Sequence, residues 1–531
     1  MNISEAKTQL KNALTAYFTK DEFGNFRIPA ETQRPVFLMG PPGIGKTAIV
    51  KQVAEEMNIG VVSYSITHHT RQSALGLPMI MTKVYDGKEY HVSEYTMSEI
   101  IASVYDTIAD SGAREGILFL DEINCASETL TPVMLQFLQF KTFGKHRLPD
   151  GWIVVTAGNP TEFNRSAKDF DIVTWDRLKR IDIEPDYQAW KIYAQRHNVH
   201  ESITSYLDIR KEYFYKLETT PEGVNFVTAR GWMDLSDMIH LYEANNLDVT
   251  IELVQQYVQN PEIAEDYAGY YDLYNKYRSD YQVEDILAGK KVGDIILRAK
   301  DAAFDERLSL LGLLLGSVNH DFRNVIEQED AIAEILPILK DIKAKSSSLN
   351  AQSGDAPQAS ACATADVSVA IADAIASEYH KLDQTAKRGI LTPEHRLQFE
   401  RAIDFLKKLQ PGYANASQNG TATGEEATGV SLTSVDFATV KAAYDAKLAT
   451  MRSDASHTSE RLKNLFGFVK DSWSDGDELL ILVTELTTNW YSARFISRYG
   501  SDEYYACSEQ LAFHQRHLDL IEKVESIGEA L

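Results

Sequence analysis

The chain has 531 residues, which at roughly 100–200 residues per domain implies three to five domains. Hydrophobic residues make up 44% and charged residues 24%, values that exclude a collagen-like, mostly disordered or membrane-embedded chain. With 53 Lys plus Arg against 77 Asp plus Glu, the formal net charge is −24. Such a chain repels phosphate backbones on average, so no nucleic-acid partner is expected beyond what a local basic groove would hold.

Cys125, Cys362 and Cys507 lie far apart and supply neither a disulfide framework nor a CxxC metal site. That usage fits a reducing cytosol. The polar start, MNISEAKTQLKN, lacks the apolar core of a signal peptide. The Leu-rich run 308–318 is far shorter than the ~20 residues that span a bilayer. A cytoplasmic protein with no membrane insertion is expected, and the run is expected to be a buried helix.

Residues 1–34 spell an amphipathic helix (Ala6, Leu10, Leu14, Phe18) and a polar lead-in. From 35 to 184, short apolar strands at 36–39, 61–66, 117–120, 153–156 and 181–183 alternate with helices. That alternation predicts a parallel sheet covered on both faces. Residues 185–344 turn helical, with few strand signals. Residues 345–366 and 411–433 are rich in Ser, Ala, Gly and Thr and read as flexible linkers. They bracket a helical segment at 367–410. A helical, aromatic module at 434–531 closes the chain; such a composition must fold or dock, and it is expected to pack on the ring or recruit a partner.

The sharpest motif is Gly40-Pro41-Pro42-Gly43-Ile44-Gly45-Lys46-Thr47. It matches GxxxxGK[ST] and lies between an apolar strand and a helix, the context the motif requires. Glycines let backbone N–H groups curl around phosphate oxygens at a helix N-terminus. Lys46 would reach the β- and γ-phosphates and Thr47 would offer its hydroxyl to Mg²⁺. The strand at 117–120 ends in Asp121 and Glu122. There Asp121 would face Mg²⁺ and Glu122 would polarise a water. Asn159, after a third apolar strand, would hold that water through its amide. Arg177 and Arg180 lie just before the last strand, and either would stabilise charge on a γ-phosphate. Arg230 opens a helix, where a cation opposes the helix dipole unless an anion offsets it.

In this order the elements resemble the AAA+ ATPases. Residues 40–47 resemble Walker A, Asp121 and Glu122 Walker B, Asn159 sensor 1, Arg177 the arginine finger and Arg230 sensor 2. Within that class the chain looks most like the MoxR-type group, through GPPGIGKT, Asp121-Glu122-Ile123-Asn124, and Leu148-Pro149-Asp150-Gly151-Trp152 leading to Ala157-Gly158-Asn159-Pro160. Asp176-Arg177-Leu178 is similar to that group's Asp-Arg-Phe and favours Arg177 over Arg180. The resemblance covers roughly residues 30–300. It implies an α/β P-loop AAA+ nucleotide domain with an α-helical lid, followed by additional C-terminal helices. It further implies Mg-dependent ATP hydrolysis in a homo-hexamer and chaperone-like remodelling of a protein client. The partner that the resemblance suggests is a von Willebrand factor A domain protein. A nucleic-acid-stimulated motor or defence-type ATPase, and a nucleotide-gated scaffold with little turnover, are the other readings.

Asp86-Gly87, amid alternating residues 76–92, predicts a hairpin. It resembles the pore-facing insertion of that group. A second loop, 140–147, is aromatic and basic around Gly144, and both are expected to grip a polypeptide or an acidic partner. His68 and His69 lack a third ligand at metal spacing, so no zinc is expected there. The Tyr-rich stretch 266–281 has few basic residues nearby and reads as core packing rather than base stacking.

Overall fold

The computed structural model describes residues 1–68, 70–221, 223–290, 293–352, 359–410, 437–474 and 476–509. They divide into two compact units. One comprises Met1–Ala189, Thr228–Arg230 and Ala376–Glu400. The other comprises Trp190–Val227, Gly231–Ile375 and the described residues from Arg401 on.

The strands are β1 Val36–Met39, β2 Gly60–Ser65, β3 Pro78–Tyr85, β4 Lys88–Tyr95, β5 Gly116–Asp121, β6 Thr142–Phe143, β7 His146–Arg147, β8 Trp152–Gly158, β9 Lys179–Asp182, β10 Lys216–Thr220 and β11 Gly223–Val227. The helices of the first half are α1 Ile3–Tyr17, α2 Lys46–Met57, α3 Arg71–Leu75, α4 Glu99–Ser111, α5 Thr131–Phe140, α6 Ile172–Trp175 and α7 Tyr187–Arg196. They continue with α8 Glu201–Ile209, α9 Ala229–Ala244, α10 Ile251–Tyr257, α11 Pro261–Asp280, α12 Val283–Leu287, α13 Gly293–Asp301 and α14 Phe304–Gln352. The last are α15 Ala359–Lys387, α16 Pro393–Lys408, α17 Phe437–Trp473, α18 Asp477–Thr488 and α19 Trp490–Tyr499.

The first unit is built on a parallel five-stranded sheet of order β2-β5-β8-β1-β9. All four residues of β1 and all seven of β8 are buried, as strands covered on both faces must be. One face packs Phe37, Met39, Leu118, Leu120 and Val154 against Ile100 and Val104 of α4 and Met134 and Phe137 of α5. Helix α2 buries Ile49, Val50 and Val53. The outer edge of β2 is covered by a segment from far along the chain. Val61 N–H donates to Arg388 O at 2.8 Å, Ile390 is buried, and Arg388 donates to Asn58 Oδ1 at 2.9 Å. An edge strand left open is a template for unwanted pairing. Residues 376–400 close this one.

In the second unit, one apolar cluster joins Leu310, Leu311, Leu314, Val318 and Phe322 of α14 to Leu462, Leu465, Phe466 and Val469 of α17. Leu482 of α18 and Phe495 of α19 belong to the same cluster. The run 308–318 is therefore a buried helix, as expected. Its partners are Val283, Ile286 and Leu287 of α12 together with the tail helices, so the helices of 437–499 pack within this unit. The Tyr-rich helix α11 buries Tyr267, Tyr271 and Tyr274, in line with core packing.

Two expectations are corrected. The region 185–344 is not purely helical, because β10 and β11 pair as a hairpin. Residues 345–352 and 359–366, expected in a linker, are helical as parts of α14 and α15. Ala, Lys, Leu and Gln favour helix, and extending a packed helix needs no new nucleus. The expected linker 411–433 lies outside the described residues, as do the side chains of His68 and His69. Among the described residues, no helix is long and apolar enough to cross a membrane.

Candidate nucleotide site

The phosphate loop connects β1 to α2, and its bends require glycine: Gly43 has φ +75° and Gly45 φ +97°. Lys46, at the first turn of α2, is only 8% exposed. Its Nζ donates to Gly40 O, Pro41 O and Asn159 Oδ1, each at 2.8 Å. Thus the loop lysine and the amide at the end of β8 meet directly, because β8 lies beside β1. Burial pushes the Lys46 ammonium down to about 8; Asp121 raises it, Arg230 lowers it and Glu122 raises it.

Thr47 donates from Oγ1 to Asp121 Oδ2 at 3.0 Å. A hydroxyl and a carboxylate this close form a hard-oxygen pair suited to Mg²⁺. The other Asp121 oxygen accepts from Glu122 N–H at 2.9 Å. Glu122 follows in the left-handed region, φ +54°, which turns its side chain out of the strand. Its Oε2 accepts from Ser65 Oγ and Thr67 Oγ1, both at 3.2 Å. These two hydroxyls, at the end of β2, hold the carboxylate and were not singled out from sequence. Polar residues closing an apolar strand beside the acidic one are the signal that points to them.

Asn124 supports the amide from behind. It is 3% exposed, donates from Nδ2 to Asn159 O at 2.8 Å, and stands where a Cβ on Gly158 would meet its Oδ1 at 2.5 Å. Thr228 and Arg230 approach from the start of α9. A Cβ on Gly43 would lie 3.0 Å from Thr228 Cβ and 3.5 Å from Arg230 Cβ. The start of α9 therefore stands at the phosphate loop.

The two arginines near β9 differ. Arg180 stacks 4.6 Å over the Trp175 ring and donates from Nε to Asp182 Oδ1 at 2.8 Å. Arg177 is exposed. Among the described residues its guanidinium has no hydrogen bond or ion pair, only electrostatic reach of Asp171. It is the arginine with a side chain to spare.

Hairpin β3–β4 forms around Asp86 (φ +49°) and Gly87 (φ +74°) as expected. It exposes Met79, Ile80, Met81, Val84 and Tyr85. In the 140–147 loop, Phe140, Lys145 and Arg147 are exposed, whereas Lys141 and Phe143 turn inward. Phe143 is buried, its ring stacked 4.2 Å from Phe137. Lys141 is 3% exposed, with burial alone pushing it down to about 7. Packing against α5 takes both inward, leaving Phe140 as the exposed ring.

If ATP phosphates come to lie beside Lys46, their charge would raise its pKa above about 8. The bound state then holds the proton more tightly than the free state. Affinity is full below pH 8 and falls as pH rises through it, by up to about tenfold per pH unit. Calorimetry in buffers of different ionisation enthalpy should show proton uptake on ATP binding above pH 8. Pure proton release there would contradict this account of Lys46.

Residues 35–178 match the family of the AAA domain (dynein-related subfamily). No curated protein matches the chain. Among solved structures, two mutants of Thermotoga maritima RuvB are similar to it at 15% and 14% identity, with TM-scores of 0.26 and 0.27. They cover 49% and 48% of this chain, and 69% of each RuvB chain is covered. A Cytophaga hutchinsonii protein is similar at 15% identity and TM-score 0.22, over 48% of this chain and 88% of that one. Over residues 35–178 the chain is thus similar to the AAA domain (dynein-related subfamily), and this stretch holds β1, β2, β5 and β8 of the parallel sheet, with β9 following directly at Lys179.

Proposed function

We propose that the chain hydrolyses ATP with Mg²⁺ in a ring of identical subunits and couples turnover to remodelling a protein client. The observation that carries this reading is the convergence of Lys46, Asn159, Thr47, Asp121 and Glu122 at the mouth of β1, β5 and β8. Loop amides and Lys46 would bind the β- and γ-phosphates, while Thr47 and Asp121 would hold Mg²⁺. Bound there, that ion neutralises charge building on the transferred phosphoryl group. Glu122 would accept a proton from the attacking water, which Asn159 orients by its amide. Arg230 would add positive charge at the same phosphates.

The unpaired Arg177 guanidinium supports a role in a neighbour's site and so a ring; the resemblance to MoxR-type proteins suggests a hexamer. The exposed β3–β4 hairpin is our proposed contact for a client, with a von Willebrand factor A domain protein as the first candidate. An arginine finger is worth a factor of ~10³ or more in turnover. Arg177→Ala should therefore lower turnover sharply with ATP binding to isolated subunits intact. Mixing it with Lys46→Ala subunits should restore part of the activity, since some interfaces pair a sound pocket with a sound finger. Co-assembly without rescue would contradict a finger acting in trans.

A further inference from the structure

A second cluster of chemistry lies in the other unit, lining a cavity of about 460 Å³ together with Asn198, Tyr274, Arg278 and His320. Its members are His200, His240 and Glu243, whose ligand atoms all lie within 4.8 Å of one another. We propose that these three residues bind a divalent transition-metal ion of the Zn²⁺ class.

His240 and Glu243 are three residues apart on α9, which sets them on one helical face. His200, the residue before α8, is only 3% exposed and approaches Glu243 with its Nε2 3.3 Å from either carboxylate oxygen. Ligands ~2.0–2.1 Å from a tetrahedral zinc are themselves about 3.3 Å apart, a separation this pair can take up around an ion without moving apart, and all three ligand atoms lie within 4.8 Å. Two imidazoles and one carboxylate form a donor set zinc favours.

Each ligand also has an outer partner that orients it, the arrangement that holds ligands around a metal. His200 Nδ1 is 2.7 Å from Ser202 Oγ, which in turn is 2.7 Å from the buried Tyr267 hydroxyl. Ser202 N–H donates to Nδ1 at 3.3 Å, capping the start of α8 and fixing the ring. To ligate through Nε2 the ring would shift its proton to Nδ1, where the Ser202 hydroxyl accepts it at 2.7 Å, and the ion would replace the Nε2 contact with Glu243. His240 donates from Nε2 to Asn198 O at 2.9 Å, which leaves Nδ1 for the ion. Glu243 accepts from Tyr271 OH at 2.8 Å on Oε1. A plain His–Glu ion pair needs neither the second imidazole nor three separate outer partners. The fourth position faces the cavity and would take water. The ion would tie the start of α8 to the end of α9.

The test uses the full chain, stripped with a chelator and without nucleotide, titrated with Zn²⁺ in competition with a chromophoric chelator and with Co²⁺ by visible absorption. The expected result is uptake of one ion per chain, a tetrahedral Co²⁺ band, and a higher Tm with Zn²⁺. His240→Ala and Glu243→Gln should each weaken binding at least tenfold and abolish the Tm shift. Circular dichroism of each variant without metal checks that it is folded, and Glu243→Gln keeps side-chain size where the alanine variant fails that check. No stoichiometric uptake, or equal uptake by the folded Glu243→Gln variant, would overturn the assignment.

Discussion

Glu122→Gln should lower ATP turnover by about 10²–10⁴-fold while ATP stays bound. The Glu122 carboxylate, which directly follows Asp121 at the end of β5, is our proposed acceptor for the proton of the attacking water. The amide of Gln keeps an acceptor for Ser65 and Thr67, which hold Glu122 at 3.2 Å, so folding and nucleotide affinity should change little. Steady-state phosphate release and retention of labelled ATP on a filter measure the two quantities. Turnover within a few-fold of the unmodified protein would remove Glu122 as the proton acceptor. A protein partner retained only by this ATP-locked form would identify the client.

Removing residues 345–531 should give an insoluble product. Leu462, Leu465, Phe466, Val469, Leu482 and Phe495 are all buried in the cluster with Leu310 to Phe322. At roughly 1.5–3 kcal/mol per buried side chain, their loss rivals the ~5–15 kcal/mol that holds a typical domain together. The same deletion removes residues 376–400 and strips Val61 N–H of Arg388 O along β2. A soluble, monomeric 1–344 fragment that binds ATP with unchanged affinity would show that neither contribution matters.

The sheet, and the meeting of Lys46 with Asn159 and of Thr47 with Asp121, were legible because their signals are local. An apolar run of four to seven residues ending in Gly-x-x-x-x-Gly-Lys-Thr, in Asp121-Glu122 or in Asn159 carries both the strand and its chemistry. The order of the strands sets those three ends side by side. What escaped depends on distance along the chain. The return of residues 376–400 to β2 leaves no periodic trace, because one backbone carbonyl and one buried Ile390 do the work. The partnership of α14 with α17 looks, in sequence, like two independent amphipathic helices. The β10–β11 hairpin was missed although Pro221 and Gly223 sit between Thr-rich and Val-rich runs, a turn signal outweighed by the helical surroundings. His200 stands forty residues from its partners on α9, beyond any spacing rule for metal ligands.

The central claim is that the loop at 40–47 binds nucleotide through Lys46, which the fold buries against Gly40, Pro41 and Asn159. Calorimetric titration of ATP and Mg²⁺ into the full-length Lys46→Ala protein tests it most directly, beside the unmodified chain and with circular dichroism to show that both are folded. The account predicts saturable binding to the unmodified chain and none measurable in the variant, because the charge paired with the β- and γ-phosphates is gone. Equal affinity in both proteins would contradict it.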